Sequence, residues 1–133
     1  MKKTENSEVG ERGKPLVLIA EDDQINFLYL ETVLKKAGCD YIHAINGAEA
    51  VEICRQNSSI SFVIMDIKMP IMTGLEATKL IKEIRPDLPV IAITAYAQSG
   101  DQQRILEAGC DEYYPKPVTP DLLHDLIKKH SLR

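Results

Sequence analysis

The residues of this chain best suited to chemistry fall in short segments: Glu21-Asp22-Asp23, then Asp66, then Thr94-Ala95, and last Lys116-Pro117. If Glu21, Asp22 and Asp66 meet in one pocket, their like charges repel, and some stay protonated unless the charge is offset. A divalent cation offsets it. Hard carboxylate oxygens in a small site, with water filling other positions, suit Mg2+. Asp66 is the candidate nucleophile, because a carboxylate can attack phosphorus and form an acyl phosphate. An adjacent cation shields the charge of the incoming phosphoryl group. Lys116 can pair with Asp66 before reaction and with phosphoryl oxygens afterwards. Thr94 adds a hydroxyl donor for a phosphoryl oxygen, and the small Ala95 leaves room for an incoming group. Asp23 reads instead as a cap for the following helix.

These segments act together only if the chain gathers them, and the apolar pattern says how. Short apolar runs occur at 16–20, 41–45, 61–67, 89–95 and 111–115. Those at 16–20, 62–65 and 90–93 are continuously apolar, as expected of central strands buried on both faces of a parallel sheet. Helical stripes lie between and after them: Phe27, Leu30, Leu34 and Ala37; Ala77, Leu80, Ile81 and Ile84; Leu122, Leu123, Leu126 and Ile127. Thr73 with Glu76 and Ser99 with Gln102 fit capping boxes, and Asn46 with Glu49 is a looser version. Thr119-Pro120 fits an N-cap followed by proline at the first helical position. Gly38 and Gly109 sit where two helices end. The pattern predicts an α/β fold, a (βα)5 doubly wound five-stranded parallel sheet. Right-handed crossovers then put helices on both faces. Ligands of such sheets bind beyond the carboxyl ends of the strands, where the reactive segments fall.

Length and composition narrow the function further. The 133 residues are enough for one domain. Residues 1–14 are polar and charged, which predicts a flexible tail or linker, leaving residues 15–133 as the folded unit. The formal net charge of −4 argues against a nucleic-acid binder. No apolar run is long enough for a membrane span, and none follows Lys2 and Lys3 to make a secretory signal, so a cytoplasmic location without membrane contact is expected. Cys39, Cys54 and Cys110 have no metal-site spacing and read as buried, reduced thiols.

The ordered pieces Leu18-Ile19-Ala20-Glu21-Asp22-Asp23, Met65-Asp66-Ile67-Lys68-Met69-Pro70 with Gly74, Ile93-Thr94-Ala95-Tyr96, Gly109-Cys110-Asp111-Glu112-Tyr113 and Lys116-Pro117 resemble the receiver domains of two-component response regulators. The resemblance covers roughly residues 15 to 130. It implies the flavodoxin-like strand order 2-1-3-4-5. It implies that Asp66 is the phosphorylated aspartate, that Asp22 binds Mg2+ directly, and that Glu21 acts through water. The backbone carbonyl of Lys68 is the third protein ligand in this scheme. Thr94 and Lys116 grip the phosphoryl group, Tyr113 moves inward when Thr94 is drawn to it, and Lys116-Pro117 is a cis peptide bond. Lys68 and Tyr96 occupy positions that tune the loss of the phosphoryl group. The implied donor is a histidine kinase or histidine phosphotransfer protein docking near helix one. The implied output is a change in the surface made by helix four, strand five and helix five.

Other functions that use an aspartate or a phosphate on a similar sheet fit these residues less well. A phosphohydrolase of haloacid-dehalogenase type carries a second acid two residues after its nucleophile, where this chain has Lys68. A flavodoxin-type cofactor carrier needs a phosphate-binding loop after strand one, where Glu21-Asp22-Asp23 would repel phosphate. A degenerate receiver, used only for protein interaction, is the alternative; the presence of Glu21, Asp22, Asp66, Thr94 and Lys116 together weighs against it, and failure to become phosphorylated by any donor would support it. The segment Glu112-Tyr113-Tyr114-Pro115-Lys116-Pro117 resembles receivers of hybrid histidine kinases more than free-standing regulators.

Overall fold

The computed structural model describes residues 14–95 and 99–131. The predicted tail, apart from Lys14, therefore lies outside the described residues, as do Tyr96 and the side chain of Ser99. The apolar runs form five strands: β1 (Leu16–Ala20), β2 (Asp40–Ala44), β3 (Phe62–Asp66), β4 (Val90–Thr94) and β5 (Glu112–Pro115). They alternate with α1 (Gln24–Lys36), α2 (Gly47–Gln56), α3 (Gly74–Ile84), α4 (Ser99–Glu107) and α5 (Pro120–Ser131). All pairings are parallel, in the order β2-β1-β3-β4-β5. The predicted (βα)5 architecture and strand order are thus observed. Strand two begins one residue earlier than the apolar pattern indicated.

Every residue of β1, β3 and β4 is buried, whereas β2 and β5, at the edges, are mostly half-buried. The two faces of the sheet carry separate apolar layers. On one, Leu18, Val63 and Ala92 meet Val51 and Cys54 of α2, Ala77 and Ile81 of α3, and Ile105 of α4. On the other, Ile19, Ile64 and Ile93 meet Leu30 and Leu34 of α1 and Leu123 and Leu126 of α5. All three cysteines are buried and free. Among the described residues, no helix is long and apolar enough to cross a membrane.

Helix punctuation follows the sequence closely. Thr73 and Glu76 form a full capping box. Asp23 caps α1, its Oδ1 accepting from the Ile25 N–H at 3.1 Å. Thr119 Oγ1 accepts from the Leu122 N–H ahead of Pro120. At α2, Asn46 accepts from the Glu49 N–H, but the Glu49 carboxylate reaches the Ile45 N–H, one residue earlier than a capping box requires. Gly38 and Gly109 end α1 and α4 with φ of 80° and 107°. Leu80 and Ala37 depart from their predicted stripes. Leu80 is 38% exposed, and the buried Thr78, bonded to the Gly74 carbonyl, takes a core-facing position instead. Ala37 is an exposed C-cap, beyond the last helical turn.

Candidate functional site

Strand register, not sequence proximity, assembles the site. Ala20 pairs with Met65, so Glu21 and Asp66 are the next positions along neighbouring strands. Asp66 pairs with Ile93, one residue before Thr94. Thr94 pairs with Pro115, one residue before Lys116. The four predicted strand-end segments therefore share one edge of the sheet. Ala95 follows Thr94 as an exposed residue. The loop after Asp66 turns sharply back into α3, with the Gly74 N–H bonded to the Ile67 carbonyl at 2.9 Å. A Cβ on Gly74 would stand 2.2 Å from the Asp66 carbonyl oxygen, so a side chain there would displace the candidate nucleophile.

One carboxylate oxygen from each of Glu21, Asp22 and Asp66 lies within 4.8 Å of the others. Glu21 and Asp66 are buried, and Asp22 is exposed. The Lys116 ammonium lies 3.1 Å from Glu21 Oε1 and 3.4 Å from Asp66 Oδ1. The expected Lys116–Asp66 pair is present, but Lys116 serves Glu21 as well. Burial pushes the Asp66 carboxyl up to about 7; the Glu21 charge adds to the rise and Lys116 opposes it. Lys116 itself is raised, since its two acids outweigh burial, which alone would lower it. The Lys68 N–H donates to Asp66 Oδ1 at 3.4 Å. The residues fit a hard divalent cation: three carboxylates converge, two of them buried, and burial together with the Glu21 charge pushes the Asp66 carboxyl up, a cost that a cation would relieve.

Thr94 is buried at the end of β4. Its carbonyl accepts from the Lys116 N–H at 2.9 Å, tying the two phosphoryl-gripping candidates through the backbone. Tyr113 pairs with Ala92, two positions before Thr94, and so shares that face of the sheet. Its ring is partly buried against the layer containing Ala92. The Lys116-Pro117 bond is cis.

Two supporting residues were not legible in advance. Asn26 Nδ2 donates to Glu21 Oε1 at 2.5 Å, and the Asp23 N–H donates to Oε2 at 3.1 Å. His43 Nε2 lies 2.7 Å from the Glu21 carbonyl oxygen, and its ring stacks on Phe27 with centroids 3.7 Å apart. Asn26 had a weak signal, an amide in the first turn after an acidic segment. His43 had none, because its role depends on β1–β2 register.

The family model of the response regulator receiver domain matches residues 17–128. The chain belongs to the response regulator receiver family. Its receiver fold extends to solved structures. A receiver domain of a Pseudomonas aeruginosa PAO1 sensor histidine kinase superposes with a TM-score of 0.83 at 27% identity, covering 89% of this chain and 98% of that one. That domain has a magnesium ion coordinated in its active-site cleft. A co-crystal of the Saccharomyces cerevisiae phosphotransfer protein Ypd1 with the receiver domain of Ssk1 gives a TM-score of 0.81 at 31% identity, covering 89% of each chain. Among curated relatives, hybrid signal transduction histidine kinase I of Dictyostelium discoideum is 42% identical over 119 residues. That match covers 84% of this chain and only 7% of the kinase. As a receiver, the chain is a module of two-component signalling with an acidic cluster at its candidate phosphorylation site.

Proposed function

We propose that this receiver is a phosphoacceptor switch that takes a phosphoryl group from a phosphohistidine onto Asp66. The convergence of Glu21, Asp22, Asp66 and Lys116 at one sheet edge carries the reading. Asp22, Asp66 and the backbone carbonyl of Lys68 would hold Mg2+ directly, with Glu21 acting through water. When bound, Mg2+ would supply the positive charge that lets an anionic phosphoryl group enter an acidic pocket. A deprotonated Asp66 oxygen attacks phosphorus as the bond from phosphorus to the donor imidazole nitrogen breaks, and the imidazole leaves with that electron pair. Lys116, already beside Asp66, follows the charge onto the phosphoryl oxygens. The Thr94 hydroxyl donates to another of these oxygens, and Ala95 leaves room for them.

The phosphoryl group adds about −1.5 to −2 of charge and three acceptor oxygens. Drawing Thr94 towards them frees space on the sheet face it shares with Tyr113. An inward Tyr113 would then alter the α4–β5–α5 surface, shifting an existing equilibrium. The donor is a histidine kinase or histidine phosphotransfer protein, docking beside α1, where Ile25 and Leu28 are exposed. The relationship to a hybrid kinase favours a receiver that is part of such a protein, working in the cytoplasm. Autodephosphorylation would complete the cycle.

Incubation with acetyl phosphate, followed by intact mass measurement, tests the reading. One added phosphoryl group is expected with Mg2+, and none with excess chelator or in Asp22→Ala. Equal phosphorylation in chelator would refute the role given to the cation. No phosphorylation from acetyl phosphate or from any histidine kinase would leave an interaction module as the better description.

A further inference from the structure

The first turns of α1 reach the acidic pocket at two places. Asn26 Nδ2 donates to Glu21 Oε1 at 2.5 Å. Three residues on, and so on the same face of the helix, the Tyr29 hydroxyl donates to the Val118 carbonyl at 2.5 Å. Val118 is buried and lies two residues after Lys116. It packs in the layer that α1 and α5 form with Ile93. Glu21 and Lys116 are themselves an ion pair, 3.1 Å apart, with the Glu21 side chain fully buried. The helix therefore holds the acid directly and holds the lysine through its loop.

The two partners are fixed to different degrees. A carboxylate accepts at about four lone-pair positions. On Glu21, Asn26 and Lys116 take Oε1, while the Asp23 N–H and Lys116 take Oε2. Glu21 is thus saturated by the protein and held in one orientation. Lys116 has a flexible stem, and its ammonium lies between Glu21 and Asp66 at 3.1 and 3.4 Å. Its reach is set by its backbone, whose N–H donates to the Thr94 carbonyl at 2.9 Å. The second backbone anchor is the Val118 carbonyl on Tyr29. The Tyr29 ring packs in the apolar layer of α1, which aims the hydroxyl.

We propose that α1 braces the Glu21–Lys116 pair from both ends, Asn26 orienting the acid and Tyr29 anchoring the loop of the lysine, and that both are positioning residues for phosphoryl transfer. This rests on Asp66 being the acceptor. Lys116 stabilises charge that grows on the phosphoryl oxygens as the bond to the donor breaks, so an ill-placed ammonium lowers the maximal rate more than it weakens donor binding. Tyr29 touches neither the acids nor the space for the donor, so its loss leaves cation and donor affinity intact. Asn26 bonds an acid of the cation cluster, so its loss weakens Mg2+ binding as well.

Tyr29→Phe removes one hydroxyl and keeps the ring. Tyr41→Phe is the matched control: its hydroxyl bonds Glu31 of α1 on the same face, but β2 carries it at the sheet edge opposite β5. Rates are measured with acetyl phosphate, or with a phosphohistidine protein if only that serves, and Mg2+ affinity by amide-shift titration without donor. Tyr29→Phe should lower the maximal rate about three- to tenfold, the range for one lost hydrogen bond, with KM and Mg2+ affinity unchanged. Tyr41→Phe should melt lower yet keep the wild-type rate. Asn26→Ala should lower both the maximal rate and the Mg2+ affinity, a test that does not depend on the folding of Tyr29→Phe. A wild-type maximal rate in Tyr29→Phe, equal slowing in Tyr41→Phe, or wild-type behaviour of Asn26→Ala would overturn the brace while leaving the acceptor site standing. If the wild type accepts phosphate from neither kind of donor, the acceptor reading fails and the brace with it.

Discussion

At Asp66, burial and the neighbouring Glu21 hold the carboxyl proton up to about 7, against an ordinary value of 3.8. Between those values the folded chain binds more protons than the unfolded one. Stability contributed by this group therefore falls as pH rises from about 4 towards 7, and above that the cost is complete. Asp66→Asn removes the charge while nearly preserving shape. In chelator at pH 8 it should stabilise the fold by about 1–3 kcal/mol, read by denaturant melts. Saturating Mg2+ should shrink the difference, because a cation compensates the wild-type charges. Gly74→Ala works in the opposite direction. Its Cβ meets the Asp66 carbonyl, a backbone atom that cannot swing aside, so a loss of about 1–3 kcal/mol is expected by the same measurement. Thr94→Ala should still accept phosphate on Asp66, yet show smaller amide-shift changes across residues 112–117. A full wild-type response there would sever Thr94 from the switch.

At the scale of elements, the strands were legible because β1, β3 and β4 are buried on both faces and read as unbroken apolar runs. Caps were legible because Asp23, Thr73 and Thr119 act within a few residues of themselves. Leu80 misled because periodicity marks an apolar stripe but not which neighbour covers it. The tether of α5 was not legible at all. Glu112 on β5 lies 2.9 Å from Lys129 and 2.8 Å from His130, and it also accepts from the Tyr114 hydroxyl. Burial alone would raise Glu112, but these hydrogen bonds outweigh it and hold the carboxyl at about 2, below its ordinary 4.5. Its contribution is therefore present above about pH 4.5 and lost as pH falls towards 2. Glu112→Gln should flatten that part of the stability profile and cost about 1–2 kcal/mol near neutral pH, measured by urea titration.

At the scale of the whole molecule, the site is a product of topology. Glu21, Asp66, Thr94 and Lys116 are far apart in sequence, and only the order β2-β1-β3-β4-β5 makes their strand ends neighbours. Their residue types were legible, since each ends an apolar run where side chains of those kinds have a cost without a function. Asn26, His43 and the bond from Tyr29 to Val118 were not, because they follow from register and helix placement that residue types do not announce. The account as a whole stands on one acceptor among three converging acids. Phosphorylation with acetyl phosphate and Mg2+, borohydride reduction of the acyl phosphate, and peptide mapping by mass spectrometry would identify it directly. The label is expected on Asp66 alone and absent from Asp66→Asn. A label on Glu21 or Asp22, or undiminished labelling of Asp66→Asn, would contradict the account.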